Sequence, residues 1–395
     1  VLDFTNLLKV MVQRGGSDLF VYAGAPPSIK VDGTVRPLTR EALKPEQVRA
    51  LVYSTMNDKQ QAEFEGTHEC NYAIGVPGCG RFRVSAFVQR NTPGMVMRAI
   101  NDRIPSFEEL HLPPVLQELA LTKRGLILFV GGTSTGKSTS LASMIDYRNR
   151  THAGHIITIE DPIEYIHPHQ RSLVVQREVG IDTESYSVAL KNCLRQAPDV
   201  ILMGEIRCAE TMKFGLQFAE TGHLCLATLH ANNANQALDR IISFFPHEHH
   251  DQVWMDLSLN LKAIIAQQLL PTQDGQGRRA AIEVLLNTPL VQDYIRKGAV
   301  HEIKEVIKKS TNLGMQTFDQ ALFQLHKEGV ISYEVALAHA DSANDLRLMI
   351  KLDSPSGMSP GLSDAMQGSE STHHNHMPAF TLQDDDDLLL SMGQP

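Results

Sequence analysis

No apolar run in this 395-residue sequence approaches the length that spans a bilayer, and core-like stretches such as residues 126–130 are only strand-sized. No secretory signal pattern opens the chain, so any membrane contact is expected to be peripheral. The five cysteines, Cys70, Cys79, Cys193, Cys208 and Cys225, are odd in number and form no C-x-x-C pair. Neither a disulfide framework nor a zinc knuckle is indicated, and the cytosol fits best. Lys and Arg are missing altogether from residue 352 onward, where Asp353, Asp364, Glu370 and the aspartates at 384–387 cluster. Most of the net charge of −9 therefore sits in that tail, and the body is nearly neutral. A general nucleic-acid binder needs a basic stripe to displace counterions, and this body has no such excess.

What is present reads as an α/β protein with more than one core, since a chain of this length exceeds the usual size of a single domain. The first hundred residues suggest an antiparallel sheet with helices on one face. Residues 2–12 form an amphipathic helix stopped by Gly15 and Gly16, and Asp32-Gly33 sits between short alternating runs as a tight hairpin would. Residues 45–56 and 59–66 read as helices, and 80–89 and 94–100 as strands. Pro105, Pro113 and Pro114 mark the expected linker, residues 101–114, between a domain of 1–100 and one of 115–352.

Beyond the linker the pattern turns to βαβα. Residues 126–130, 155–160, 200–205 and 225–230 are short, almost continuously apolar runs separated by helix-like segments. Such runs are buried on both faces, which predicts a parallel sheet covered by helices. Mostly helical sequence, interrupted by a strand-like stretch at 280–287, is expected up to residue 352, followed by a disordered acidic tail, 353–395.

Each of the four runs ends in a polar group: the glycine-rich loop after the first, Glu160 and Asp161 after the second, Glu205 on the third, His230 on the fourth. In open parallel sheets ligands bind beyond the carboxyl ends of the strands, so four separate segments point at one site. The loop Gly131-Gly132-Thr133-Ser134-Thr135-Gly136-Lys137-Ser138-Thr139 follows a strand and precedes a helix, as a phosphate-binding loop must. Its amides would cradle phosphate oxygens of ATP, Lys137 would reach the β and γ groups, and the Ser138 hydroxyl would ligate Mg²⁺. Glu205 at the end of an apolar strand suits a carboxylate facing that metal ion. In residues 160–164 three carboxylates surround Pro162; either Glu164 or Glu160 would activate the attacking water, unless the stretch is a solvated acidic turn. Arg81 and Arg83 alternate on one strand face and Arg98 lies on another strand; they read either as ordinary solvated residues or as cationic fingers supplied across a subunit interface.

GGTSTGKSTS, TIEDPIEY, APDVILMGEIR and TGHLCLATLHANNANQALDRI together resemble the Walker A, Asp-box, Walker B and His-box motifs of secretion and type IV pilus ATPases. The resemblance covers residues 1–352 and runs nearest to the PilT/PilU retraction branch. It implies a PAS-like N-terminal domain, a RecA-like P-loop NTPase domain with a mostly parallel sheet, and a homo-hexameric ring at the cytoplasmic face of a bacterial inner membrane. By the same resemblance Glu164 is the base, Glu205 the Walker B acid, His230 the γ-phosphate sensor, and Arg81, Arg83 and Arg98 the N-domain arginines. The tetracysteine zinc module of the extension and type II secretion members is missing. The A-I-R-N-L-I-R-E segment of the PilT side is replaced by LVQDYIRK, which keeps only Ile295 and Arg296; together with GMQTFDQALFQL and ADSANDLRLMIKL this resembles the accessory, PilU side. Ser134 stands where a glycine is common; if that position needs positive φ, a strain on the order of 1 kcal/mol follows.

The implied function is ATP hydrolysis that assists pilus retraction and twitching motility beside a PilT-like ring, against a PilC-like membrane platform protein. A mainly structural or regulatory ATP-binding subunit is the alternative, and a nucleic-acid translocase is disfavoured by the near-neutral body.

Overall fold

The structure, a computed structural model, describes residues 4–31, 34–100, 103–275 and 277–353. These divide into two compact units that part between residues 100 and 103.

The first unit opens with α1 (Phe4–Gln13), whose Leu7, Leu8 and Met11 are buried. Gly15 at φ 65 ends it, and the Gly16 amide donates back to the Met11 carbonyl at 2.8 Å. Strands β1 (Asp18–Val21), β2 (Ser28–Val31) and β3 (Thr34–Pro37), helices α2 (Pro45–Ser54) and α3 (Asp58–Thr67), and strands β4 (Glu69–Val76), β5 (Gly80–Gln89) and β6 (Thr92–Ile100) follow. The six strands form one antiparallel sheet in the order β3-β2-β1-β6-β5-β4. Val31 pairs with Thr34, as the expected hairpin requires, although Asp32 and Gly33 themselves lie outside the described residues. Arg90 and Asn91 turn the β5–β6 hairpin with φ 46 and 62, the two-residue geometry that matches strand twist. Alternation on β5 sends Phe82, Val84 and Ala86 into a core shared with Leu8, Val48 and Phe64 from the helices.

The second unit begins with short helices α4 (Phe107–Leu110) and α5 (Val115–Ala120). The segment expected as a linker is therefore folded: Ser106 caps α4, and Phe107 and Leu112 are buried in the core that holds Phe129. Proline spacing gave the linker reading, but the apolar residues between the prolines have a sheet to pack on. The chain continues through β7 (Gly125–Val130), α6 (Lys137–Thr151), β8 (Gly154–Glu160), β9 (Ser172–Glu178), α7 (Tyr186–Cys193), β10 (Val200–Met203), α8 (Ala209–Glu220) and β11 (Leu224–Leu229). Next come α9 (Ala234–Ser243), α10 (His250–Asn260), β12 (Leu261–Pro271), β13 (Arg278–Leu286), α11 (Pro289–Arg296), α12 (Ile303–Lys309), α13 (Phe318–Lys327), α14 (Tyr333–Ala338) and α15 (Ala343–Asp353).

The seven strands order as β13-β12-β7-β11-β10-β8-β9; only β13 is antiparallel to its neighbour. Every residue of β7, β10 and β11 is buried. Leu126, Leu128 and Val130 enter one core while Ile127 and Phe129 enter another, so both faces of the sheet are covered, as the apolar runs predicted. Two strands of this unit escaped the sequence reading, as β1 and β4 did in the first unit. Residues 261–271, placed within mostly helical sequence, are the long strand β12, and residues 172–178 are the edge strand β9. A short apolar run carries no period that separates strand from helix, and β12 is fixed instead by pairing with β7, far back in the chain. No helix among the described residues is long and apolar enough to cross a membrane. The acidic tail beyond Asp353 lies outside the described residues.

Candidate active site

Strand β7 delivers the chain to Gly131, and the backbone there has no room for a side chain. A Cβ on Gly131 (φ 154) would sit 2.5 Å from the Gln267 carbonyl oxygen, and one on Gly136 (φ 87) would sit 2.7 Å from Gln267 Nε2. Gln267, buried on β12, also ties the loop by hydrogen bonds: Nε2 donates to the Thr135 carbonyl at 2.9 Å, and Oε1 accepts from Ser140 Oγ at 2.9 Å. Between the two glycines Ser134 takes φ 62, the left-handed conformation in which a side chain is strained. Helix α6 then starts at Lys137 with Gly136 as N-cap and no side chain capping it, which leaves its first amides open to an anion. Lys137 is buried and curls back, its Nζ donating to the carbonyls of Gly131 at 2.9 Å and Gly132 at 2.6 Å. Burial lowers its pKa, opposed by the charges of Glu205 and Glu164.

The acids come from neighbouring strand ends. Glu160 closes β8, accepting from Thr158 Oγ1 at 2.6 Å and from Gln176 Nε2 at 3.3 Å. Burial pushes its carboxyl up to about 7 in spite of those two bonds. Glu205 follows β10 and accepts from Arg207 Nε at 2.6 Å, and its other oxygen lies 3.1 Å from His230 Nε2, just past β11. Arg207 also comes within 3.7 Å of Asp161, and its hydrogen bond to Glu205 raises its own pKa. Tyr186 stands over Gly204, where a Cβ would meet its hydroxyl at 2.5 Å, and burial raises its pKa further. Thr139 and Tyr165 share a hydroxyl–hydroxyl hydrogen bond of 2.9 Å.

Lys137, Ser138, Glu160, Glu164, Glu205 and His230 line one cleft of about 230 Å³, together with Thr133 and Ser134. The convergence expected from the strand ends is thus present. Arg81, Arg83 and Arg98 fall in the other unit. There Arg83 pairs across from Arg98, Arg81 lies two residues away on the same face, and Arg98 Nε donates to buried Asp18 at 2.8 Å. Sequence reasoning missed Arg207, visible only as a basic residue two places after Glu205. It also missed Gln267, which carried no signal because its strand was read as helix.

A family model described as type II/IV secretion system protein matches residues 6–330. The chain belongs to this family. Within it, the chain is 66% identical to the Type IV pilus ATPase PilU of Pseudomonas aeruginosa, over 93% of this chain and 96% of that protein. It is 44% identical to the Type IV pilus retractation ATPase PilT of the same organism, over 85% and 97% of the two chains. A crystal structure of the pilus retraction motor PilT with bound ADP aligns with TM-score 0.83 at 40% identity, covering 88% of this chain and all of that one. The ATPase DotB of Legionella pneumophila aligns with TM-score 0.71 at 25% identity, over 85% and 95% of the two chains. The chain is accordingly a nucleotide-binding ATPase of the PilT/PilU branch.

The clamp on the loop gives one measurable consequence for a family member of this kind. Gln267→Ala removes both side-chain bonds and is expected to weaken ADP binding about tenfold, about 1.4 kcal/mol; titration with fluorescent ADP reads it, and unchanged affinity refutes the clamp. A second concerns pH. Glu160 is raised above its unfolded value of 4.5, so its contribution to stability is complete below that value and is lost as pH rises through about 7. Glu160→Gln should flatten the decline of Tm across that window, with Glu283, raised in the same sense, keeping its own share.

Proposed function

We propose that this chain is a motor ATPase that assists retraction of a type IV pilus, working as a homo-hexameric ring beside a PilT-like ring. The observation that carries this reading is the meeting of Lys137, Ser138, Glu164, Glu205 and His230 in one cleft at the strand ends. The chain's 66% identity to a protein named for the type IV pilus supports the cellular role.

In this reading the loop amides and the start of α6 bind the ATP phosphates, and Lys137 exchanges its two loop carbonyls for phosphate oxygens. The Ser138 hydroxyl and the Glu205 carboxylate are oxygen donors of the kind Mg²⁺ takes, and they would hold it alongside the phosphates. That ion supplies charge neutralisation at the β and γ groups. Glu160 is engaged by Thr158 and Gln176, which supports Glu164 as the base. Water attacks the γ-phosphorus, its proton passes to Glu164, and the bond to the β–γ bridging oxygen breaks, leaving ADP and phosphate. His230 Nε2 lies on Glu205 here, and a γ-phosphate oxygen would compete for it and report occupancy. Arg81, Arg83 and Arg98 of a neighbouring protomer would add the remaining positive charge. Closure and reopening of that interface would drive a PilC-like platform protein at the cytoplasmic face of the inner membrane, without direct contact to nucleic acid. The altered segment LVQDYIRK, which overlaps α11, motivates dependence on the PilT-like ring.

Ser134 at φ 62 favours a second reading, in which the chain binds ATP to stabilise the working motor and turns over little. Phosphate release by the purified protein separates the two. Glu164→Gln should cut turnover by about 10²-fold or more with ADP binding retained, and Lys137→Ala should lose binding as well. In cells, both variants should abolish the protein's contribution to twitching; full motility with Glu164→Gln would establish the scaffold reading instead. Normal retraction in a strain lacking its PilT-like ATPase would refute the dependence.

A further inference from the structure

Outside the cleft, the described residues hold a second charged cluster that the hydrolytic reading leaves unused. Glu283 on β13 is almost fully buried, 2% exposed, amid apolar neighbours. Its Oε1 accepts from the amide of Ala234 at 2.8 Å, and Ala234 is the first residue of α9. A carboxyl oxygen at that place satisfies an amide the helix cannot pair internally. The cap residue of α9, Asn233, accepts from the Gln236 amide at 2.9 Å through its side-chain oxygen and donates through Nδ2 to Asp341 at 3.5 Å. Lys304 on α12 donates to the same Asp341 oxygen at 3.0 Å and lies 3.9 Å from Asp319. Asp319, buried on α13, accepts from the amides of Asp341 and Ser342. Helices α12 and α13 and the connection from α14 to α15 are thus joined, through Lys304, Asp319 and Asp341, to the cap of α9, whose first amide Glu283 holds from β13.

Ala234 stands four residues after His230, and the segment between them carries no secondary structure of its own. One end of that segment is fixed by β11 and the other by Glu283 and Asp341. A short connection pinned at both ends has little freedom, so its far anchor sets where His230 can place its ring relative to Glu205. We infer that Glu283, together with the Asp341 contact to Asn233, is a positioning residue for His230, and that through these two anchors the C-terminal segments carrying Lys304, Asp319 and Asp341 are coupled to the state of the nucleotide cleft. Movement of His230 between Glu205 and a phosphate oxygen pulls on the start of α9 and so on those segments; conversely, a load on the segments alters the reach of His230. By thermodynamic reciprocity the two effects are equal in free energy. The inference rests on ATP turnover in the cleft as proposed above.

The test uses the full-length protein and four forms: wild type, Glu283→Ala, His230→Ala and the double variant. Glu283→Ala should lower kcat about tenfold while the affinity for fluorescent ADP stays within about twofold, because ADP has no γ-phosphate for His230 to sense. Glu283→Gln keeps an oxygen that can accept from Ala234 and should restore most of the rate. In the His230→Ala background, Glu283→Ala should cost nothing further, since the group it positions is gone. A loss of the same size in both backgrounds, or a loss of ADP affinity matching the loss of rate, shows general structural damage and overturns the inference. Should Glu283→Ala fail to fold, Asp341→Ala, which removes only the Asn233 and Lys304 contacts, is carried through the same cycle with the same two deciding outcomes. A wild-type protein without turnover refutes the hydrolytic reading itself, whereas active wild type with unimpaired Glu283→Ala refutes only the positioning role.

Discussion

The contact between the phosphate loop and β12 is the constraint from which the rest of the active unit follows. The Gln267 carbonyl and side chain press so closely on Gly131 and Gly136 that neither position can carry a Cβ. With the loop held from behind, its amides have to face forward into the cleft, and α6 starts with uncapped amides aimed the same way. β12 can apply this pressure because it is paired with β7, the strand that feeds the loop, and shielded on its other edge by β13. The addition of two late strands, β12 parallel to β7 and β13 antiparallel to β12, is therefore part of how the site is built.

In front of the loop the electrostatics are arranged by sharing. Lys137 rests on two carbonyls, Glu205 on Arg207 and His230, and Glu160 on Thr158 and Gln176. A buried charge without a partner is costly, so each group that would meet nucleotide has a substitute partner on the chain. Of these groups, Lys137 and His230 are donors whose present acceptors a phosphate oxygen could replace. The segment after His230 leads directly into α9, whose first amide Glu283 holds.

The sequence made the parallel sheet legible, since residues 126–130, 200–203 and 224–229 are apolar without alternation and are buried on both faces. It also made the cleft legible: Lys137, Glu160, Glu205 and His230 each follow such a run, and the topology of parallel strands sends all run ends to one edge. Residues 261–271 were not legible, because an apolar stretch broken by two glutamines has neither a helical nor an alternating period. The folded part of the expected linker, residues 106–114, was hidden by its prolines, which announce turns but say nothing of the Phe107 and Leu112 side chains between them.

The sequence by itself determined which residues could do chemistry on a nucleotide: spacing places Lys137 and Ser138 after a glycine loop, and strand-end position selects the acids and His230. Local pattern suffices there because a loop between a strand and a helix is specified by neighbours in the chain. The tertiary structure alone decided what holds those residues in place. Gln267 and Glu283 act across distances in sequence that carry no periodic signal, and their partners become neighbours only when β12 and β13 join the sheet.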